Sequence, residues 1–221
     1  DDAGDFPHAY LKFYSLADYF RPAPTTHGAP SQGRPSALMI GGGAYTYPQA
    51  YLEEYPAAFI DVVEIDPGMT RLAQQYFRLK ESPRLSIFHT DGRVFLNRYK
   101  KIYDTIFIDA LRSLHSVPEQ LTTLEAVKRL RASLSGDGAV LVNIFSPLEG
   151  EGSTFFHALY RTYRSVFPQV SVFAVKNPND TRTPQNIILI ATSADTSPSP
   201  EDTEKFSALL QHEWKGPFAE D

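Results

Sequence analysis

Short apolar runs rich in β-branched and aromatic residues recur along the chain: SALMI (36–40), FIDVVEI (59–65), RLSIFH (84–89), YDTIFIDA (103–110) and GAVLVNIF (138–145). Each is too short for a buried helix and is bounded by turn-forming residues, so each reads as a strand. The intervening segments, at about 47–55, 68–79, 92–99, 118–134 and 152–166, read as helices, and STFFHALYRTYRSVF (153–167) places its apolar residues on one helical face. Near-continuous apolar strands alternating with helices predict a parallel sheet covered on both faces, a three-layer α/β sandwich wound by right-handed crossovers.

The last two runs break the alternation. QVSVFAV (169–175) and QNIILIATS (185–193) are joined by KNPNDTRTP, too short and polar for a crossover helix, so they form a hairpin. A Rossmann-like, seven-stranded, mostly parallel sheet with an antiparallel terminal hairpin is the architecture of class I S-adenosylmethionine (AdoMet) methyltransferase-like domains; a nicotinamide-binding domain would continue with helix and strand. Pro/Ser/Thr-rich stretches at 23–35 and 192–202 bracket this middle. We therefore expect an N-terminal extension or lid with its linker (1–35), a ligand-binding domain (36–195), and a C-terminal helix and tail (196–221) whose helix at about 199–214 packs through Trp214.

The chain has 221 residues, 42% of them hydrophobic, which is enough for one globular domain with a proper core. With 21 basic and 26 acidic residues and no basic stripe, it lacks the electrostatic footprint of a nucleic-acid binder, which leaves small molecules as the expected partners. The absence of cysteine excludes disulfides, thiolate metal sites and a cysteine nucleophile, and suits a cytoplasmic setting. His8, His89, His115 and His157 show no metal-ligand spacing, so no metal is expected.

Ligands of such sheets bind beyond the carboxyl ends of the strands. After the first strand come Gly41, Gly42 and Gly43, able to turn tightly and to lie against a ligand; Thr46 stands where the third glycine of G-x-G-x-x-G would be, so the loop alone is a weak signal. Glu64 ends the second strand about 20 residues later, where an acid can take both hydroxyls of a ribose, and Ile65 follows it. Asp66 reads as the N-cap of the next helix. Asp91 and Gly92 follow the third strand: Asp91 suits either an adenine amine or a helix cap. Asp109 ends the fourth strand, beside the reacting end of a nucleoside placed by the other two acids.

The set ALMIGGG … VVEIDP … PRLSIFHTDGRVFL … YDTIFIDA … LTT, spanning residues 36 to about 146, resembles the spermidine synthase (polyamine aminopropyltransferase) family, and is nearest to its divergent domains, some of them fused to membrane transporter-like segments. PHAYLKFY (7–14) loosely echoes the family's Tyr-His-Glu-Met segment through His8. The resemblance implies a pocket for AdoMet, decarboxylated AdoMet or methylthioadenosine, with Glu64 on the ribose, Asp91 on the adenine and Asp109 as the base that deprotonates an attacking amine. It also implies a homodimer and allows a membrane segment upstream. Two departures stand out: Ala44 replaces an acid of the family's glycine loop, and Arg112 replaces the second acid after the fourth strand. Both remove partners for an ammonium group, which argues against spermidine synthesis proper. Arg112 suits a carboxylate, which AdoMet carries and its decarboxylated form lacks.

These residues leave several chemistries open: aminopropyl or related alkyl transfer, methyl transfer, a lyase-like splitting of AdoMet without an acceptor, or ligand sensing without catalysis. Further substrate candidates are His8, Tyr10, Tyr45 and His115, with Tyr10, Tyr45 and Tyr47 suited to walling a sulfonium by cation–π contact.

Overall fold

The computed structural model describes residues 9–21, 35–110, 117–194 and 198–216. Its seven strands are β1 (Ser36–Ile40), β2 (Phe59–Glu64), β3 (Leu85–His89), β4 (Tyr103–Ile108), β5 (Leu134–Ser146), β6 (Gln169–Ala174) and β7 (Gln185–Thr192), in the sheet order β3-β2-β1-β4-β5-β7-β6. The first five run parallel, and β7 lies antiparallel between β5 and β6. This is the mostly parallel sheet with an antiparallel terminal pair that the hydrophobic pattern predicts.

Side-chain alternation sends the strands' apolar residues into two cores. Leu38, Ile40, Ile106, Ile108, Val140 and Val142 meet α4 (Gly92–Arg98), α5 (Leu124–Ala132) and α6 (Thr154–Arg164), with Trp214 closing that layer against Phe156. Ala37, Met39, Ile60, Val62, Phe107 and Leu141 face the opposite layer: a 3-10 segment (Ala9–Ser15), α1 (Leu16–Phe20), α2 (Thr46–Glu54) and α3 (Pro67–Tyr76). Tyr14, Tyr47 and Phe107 form an aromatic cluster there, with ring centroids 4.8–5.1 Å apart and Tyr47 meeting both of the others edge to face. Such pairs add roughly 0.5–1.5 kcal/mol each beyond burial. The described part of the N-terminal extension is thus packed onto the sheet, with Leu11, Phe13, Tyr14 and Leu16 buried.

Two helix expectations are corrected. In place of one helix over 118–134 there is a 3-10 turn (Glu119–Leu121) followed by α5, because the Thr123 hydroxyl accepts from Ala126 N and caps a fresh helix. The segment expected as a helix over 199–214 forms only α7 (Pro200–Lys205) and α8 (Ser207–Leu210). Beyond α8 the chain extends alongside β6, where Trp214 N donates to Val172 O and His212 N δ1 pairs with Ala174 O. A further strand bond outweighs another helical turn there.

Candidate active site

The switch in strand order falls between β1 and β4, and the loops at that point line a cleft of about 330 Å³. Gly41, Gly43, Glu64, Ile65, Asp91, Gly92 and Asp109 all border it. Gly41 has φ +97°, and a Cβ there would lie 2.5 Å from the Asp109 carbonyl oxygen, so both the turn and the approach of β4 require glycine. Gly92, at the start of α4, is pressed against Ile40 in the same way, a Cβ meeting its side chain at 2.6 Å.

Glu64 is buried and holds the glycine loop. Its Oε2 accepts from Gly42 N (2.9 Å) and Gly43 N (3.2 Å), and its Oε1 from Asp66 N (2.9 Å). Three backbone donors on one carboxylate fix its plane and leave one lone-pair site, on Oε1, open. Asp66 caps α3, its Oδ1 accepting from Gly68 N. Of the two roles read for Asp91 the structure shows the helix cap: Oδ1 caps α4 through Arg93 N (2.8 Å) and Val94 N (3.0 Å), while Oδ2 accepts from Gln120 Nε2 (3.1 Å) at the cleft. Gln120 borders the same cleft and is not signalled by the sequence reading. Pro118 and Leu121 beside it supply an apolar wall opposite Ile65 and Met69.

Asp109 sits where β4 ends, its backbone N bonded to Ile40 O. The Tyr10 hydroxyl donates to its Oδ2 (2.9 Å) and Asn143 Nδ2 to its Oδ1 (2.8 Å). Burial, then the charge of Asp109, then that hydrogen bond hold the Tyr10 hydroxyl protonated far above its ordinary range. The fully buried Tyr14 hydroxyl is also pushed up, first by burial and next by the charge of Asp109, and has no partner in hydrogen-bond geometry among the described residues.

Two candidates lie elsewhere. Tyr45 does not wall the cleft: it adopts φ +58°, and its buried ring lies against Gly42 with its hydroxyl 2.7 Å from Thr70 Oγ1. Tyr47 belongs to the aromatic core. Gly42 stands behind the lining, engaged through its N–H. His89 pairs with Thr70, and His157 with Leu148 O. His8, Arg112 and His115 fall outside the described residues. Among the described residues no group of three His, Asp or Glu side chains is arranged to hold a metal, and no helix is long and apolar enough to cross a membrane.

Three carboxylates at the ends of β2, β3 and β4 therefore converge on one cleft, an arrangement suited to a cationic ligand with several hydroxyl or amine donors. Comparison with known proteins places this geometry in a family. Residues 29–198 match the model of the spermine/spermidine synthase domain. The chain is 32% identical over 148 residues to a polyamine aminopropyltransferase of Vibrio vulnificus, covering 66% of this chain and 48% of that protein. It is also 32% identical over 167 residues to an N-terminal histidine N-methyltransferase of Emericella nidulans, covering 72% of this chain and 28% of that one. It thus spans about half or less of the length of these relatives. Among solved structures, a probable spermidine synthase of Corynebacterium glutamicum superposes with a TM-score of 0.79 at 20% identity, covering 95% of this chain and 75% of that one. Human methyltransferase-like protein 13 in complex with SAH superposes at 0.64 and 21% identity, covering 80% and 81%. With the matched region taking in every strand of the sheet and all three carboxylate-bearing loops, the chain belongs to the spermine/spermidine synthase domain family.

Proposed function

We propose that the cleft binds a sulfonium-bearing adenosine derivative, AdoMet or its decarboxylated form, and that the protein transfers or cleaves the alkyl arm with release of methylthioadenosine. The observation that carries this reading is the convergence of Glu64, Asp91 and Asp109 on one cleft at the switch point. In it Glu64 takes the ribose hydroxyls, Asp91 with Gln120 takes the amine edge of the base, and Asp109 faces the sulfonium arm. A solved spermidine synthase in complex with the transition-state analogue AdoDATO and the neighbour in complex with SAH support a ligand of this class.

In the transfer reaction an amine nitrogen attacks the carbon beside the sulfonium. The C–S bond breaks, its electron pair stays on sulfur to leave neutral methylthioadenosine, and the amine proton passes to Asp109. Alignment of the two reactants supplies most of the rate.

The acceptor is the open part. The turn at Gly43–Ala44 offers no carboxylate, and Glu64, Asp91 and Asp109 are the acids among the described lining residues. With these three taken up by the nucleoside and the attacking amine, a diamine's second ammonium would find no further counter-charge among the described lining residues, which favours an acceptor with one amine, or splitting of AdoMet without an acceptor. Incubation with AdoMet or decarboxylated AdoMet, with and without putrescine, followed by mass spectrometry, separates the outcomes. We expect methylthioadenosine, with or without an alkylated amine; a methylated acceptor would assign methyl transfer. Ligand unchanged under all conditions would refute catalysis and leave a sensor. Titration with both ligands tests Arg112: tighter binding of AdoMet that is lost in Arg112→Ala supports a carboxylate contact, and equal binding removes it.

A further inference from the structure

From Ala139 to Phe145, β5 is apolar except at Asn143, which stands between Val142 and Ile144 with no exposed surface. It faces the same layer as Leu141 and the N-terminal aromatic residues. A buried carboxamide is unfavourable in such a place unless both its ends are bonded. Here they are: Nδ2 donates to Asp109 Oδ1 at 2.8 Å, and Oδ1 accepts from Asn186 Nδ2 on β7 at 2.9 Å. The row Asn186–Asn143–Asp109 crosses the sheet from β7 to the end of β4, and Tyr10 closes it by donating to the other carboxylate oxygen.

The polarity of this row is set from the Asp109 end, since a carboxylate oxygen only accepts. Turning the Asn143 amide over would set its oxygen against Asp109 and its NH2 against the Asn186 NH2, losing both bonds. We propose that Asn143, oriented by Asn186, is a positioning residue that holds Asp109 as a fixed anion aimed into the cleft. Both carboxylate oxygens receive neutral donors. Protonating Asp109 would require an acceptor at Oδ1, which Asn143 presents only if its amide and that of Asn186 turn over together, or at Oδ2, where the Tyr10 hydroxyl would have to give up its donated bond. The row thus favours the charged carboxylate facing a cationic ligand. The catalytic meaning of this device rests on the function proposed above; the hold on Asp109 does not.

Among the described residues, the titratable groups near Asp109 include Tyr10 and Tyr14 from the 3-10 segment and Glu64 and Asp91 across the cleft. His8, Arg112 and His115 lie outside the described residues. They are common to wild type and variants, so a comparison between the two isolates the amide.

The test is a ¹³C NMR titration of side-chain carboxyls in the ligand-free protein, with the Asp109 resonance identified by its loss in Asp109→Asn. In Asn143→Leu we expect Asp109 to bind its proton about tenfold more tightly than in wild type, as for loss of one hydrogen bond to a charged group. Asn186→Val should move it the same way by a smaller factor, and because Asn186 is only partly buried this second variant guards against misfolding of the first. A proton affinity changed by less than about twofold in Asn186→Val, and in Asn143→Leu where that variant folds, overturns the proposal, since a purely structural asparagine would lower thermal stability without moving the Asp109 titration. Binding of AdoMet and of neutral methylthioadenosine then separates the two claims. If neither binds while the titration moves, the positioning role stands and the function proposed above fails. If both bind and the variants lose AdoMet selectively at mildly acidic pH, both stand.

Discussion

Gly41→Ala tests whether the cleft is built by contact between the first loop and the end of β4. Two penalties add. The backbone at φ +97° lies in the left-handed region, which costs an alanine about 1–2 kcal/mol. The new Cβ would then stand 2.5 Å from the Asp109 carbonyl oxygen and 2.9 Å from Ala110 N, where carbon normally approaches no closer than ordinary contact. That backbone cannot yield freely, because Asp109 N is bonded to Ile40 O and Gly41 N to Val63 O. Overpacking of this kind costs typically about 1–3 kcal/mol. The sum is about 3 kcal/mol, and for a chain of this size each kcal/mol lowers the midpoint by roughly 2–4 °C, so the expected fall is roughly 6–12 °C. Gly43→Ala is the internal control: its φ of +50° is also left-handed, but a Cβ there meets nothing within 4 Å. It should cost only the backbone penalty, about 1 kcal/mol and a fall of roughly 2–4 °C. Both are read by calorimetry or by the thermal loss of near-ultraviolet circular dichroism. Equal falls in the two variants would refute the reasoning, because the difference between them is the contact with Asp109.

Glu64→Gln should weaken methylthioadenosine binding by roughly 10- to 100-fold in calorimetric titration, since a charge-assisted pair of ribose bonds is exchanged for neutral ones and the amide NH2 must face loop N–H groups. Asp109→Asn should leave methylthioadenosine binding within a few fold while slowing product formation, followed by mass spectrometry, by roughly 10²–10⁴; unchanged turnover would remove Asp109 as the base. Alkaline stability follows from the buried tyrosines. Burial holds Tyr14, Tyr47 and Tyr163 protonated in the fold well above their unfolded value near 10. Their contribution is therefore complete below pH 10 and lost as pH rises beyond it, at about 1.4 kcal/mol per pH unit for each, because only the unfolded chain gives up those protons. Urea melts between pH 9 and 12 should show stability falling steeply above 10, with phenolate absorbance appearing in the unfolding transition; a smooth titration of these residues in the folded protein would contradict their burial.

The fold was legible because its signal is redundant. Strands such as AVLVNIF and IILIAT are apolar on both faces, which only a sheet covered on both sides accommodates, and the short polar link between β6 and β7 admits only a hairpin. The candidate acids were legible for a similar reason, since each ends a strand whose position in the sheet was already fixed. The readings that failed depended on local competition. Tyr45 follows the glycines and so read as a wall of the cleft, but the left-handed turn at its own φ of +58° swings the ring under Gly42 and onto Thr70. Gln120 stands in a segment that read as one long helix, and it reaches Asp91 only because a 3-10 turn and the Thr123 cap interrupt that helix.

Asn143 is the instructive omission, because its signal was present. A single carboxamide in the middle of an otherwise apolar central strand has to be bonded at both ends, and a strand two positions from the switch point leaves few partners in reach. One is the acid that ends the neighbouring β4, level with it across the sheet, for the β4–β5 register pairs Ile108 with Val142 and so sets Asp109 beside Asn143. The other comes from the antiparallel β7, where Asn186 stands just ahead of the apolar run that starts at Ile187. A polar residue inside a buried strand thus has to be traced to its partners, and here the trace from Asn186 through Asn143 ends on Asp109.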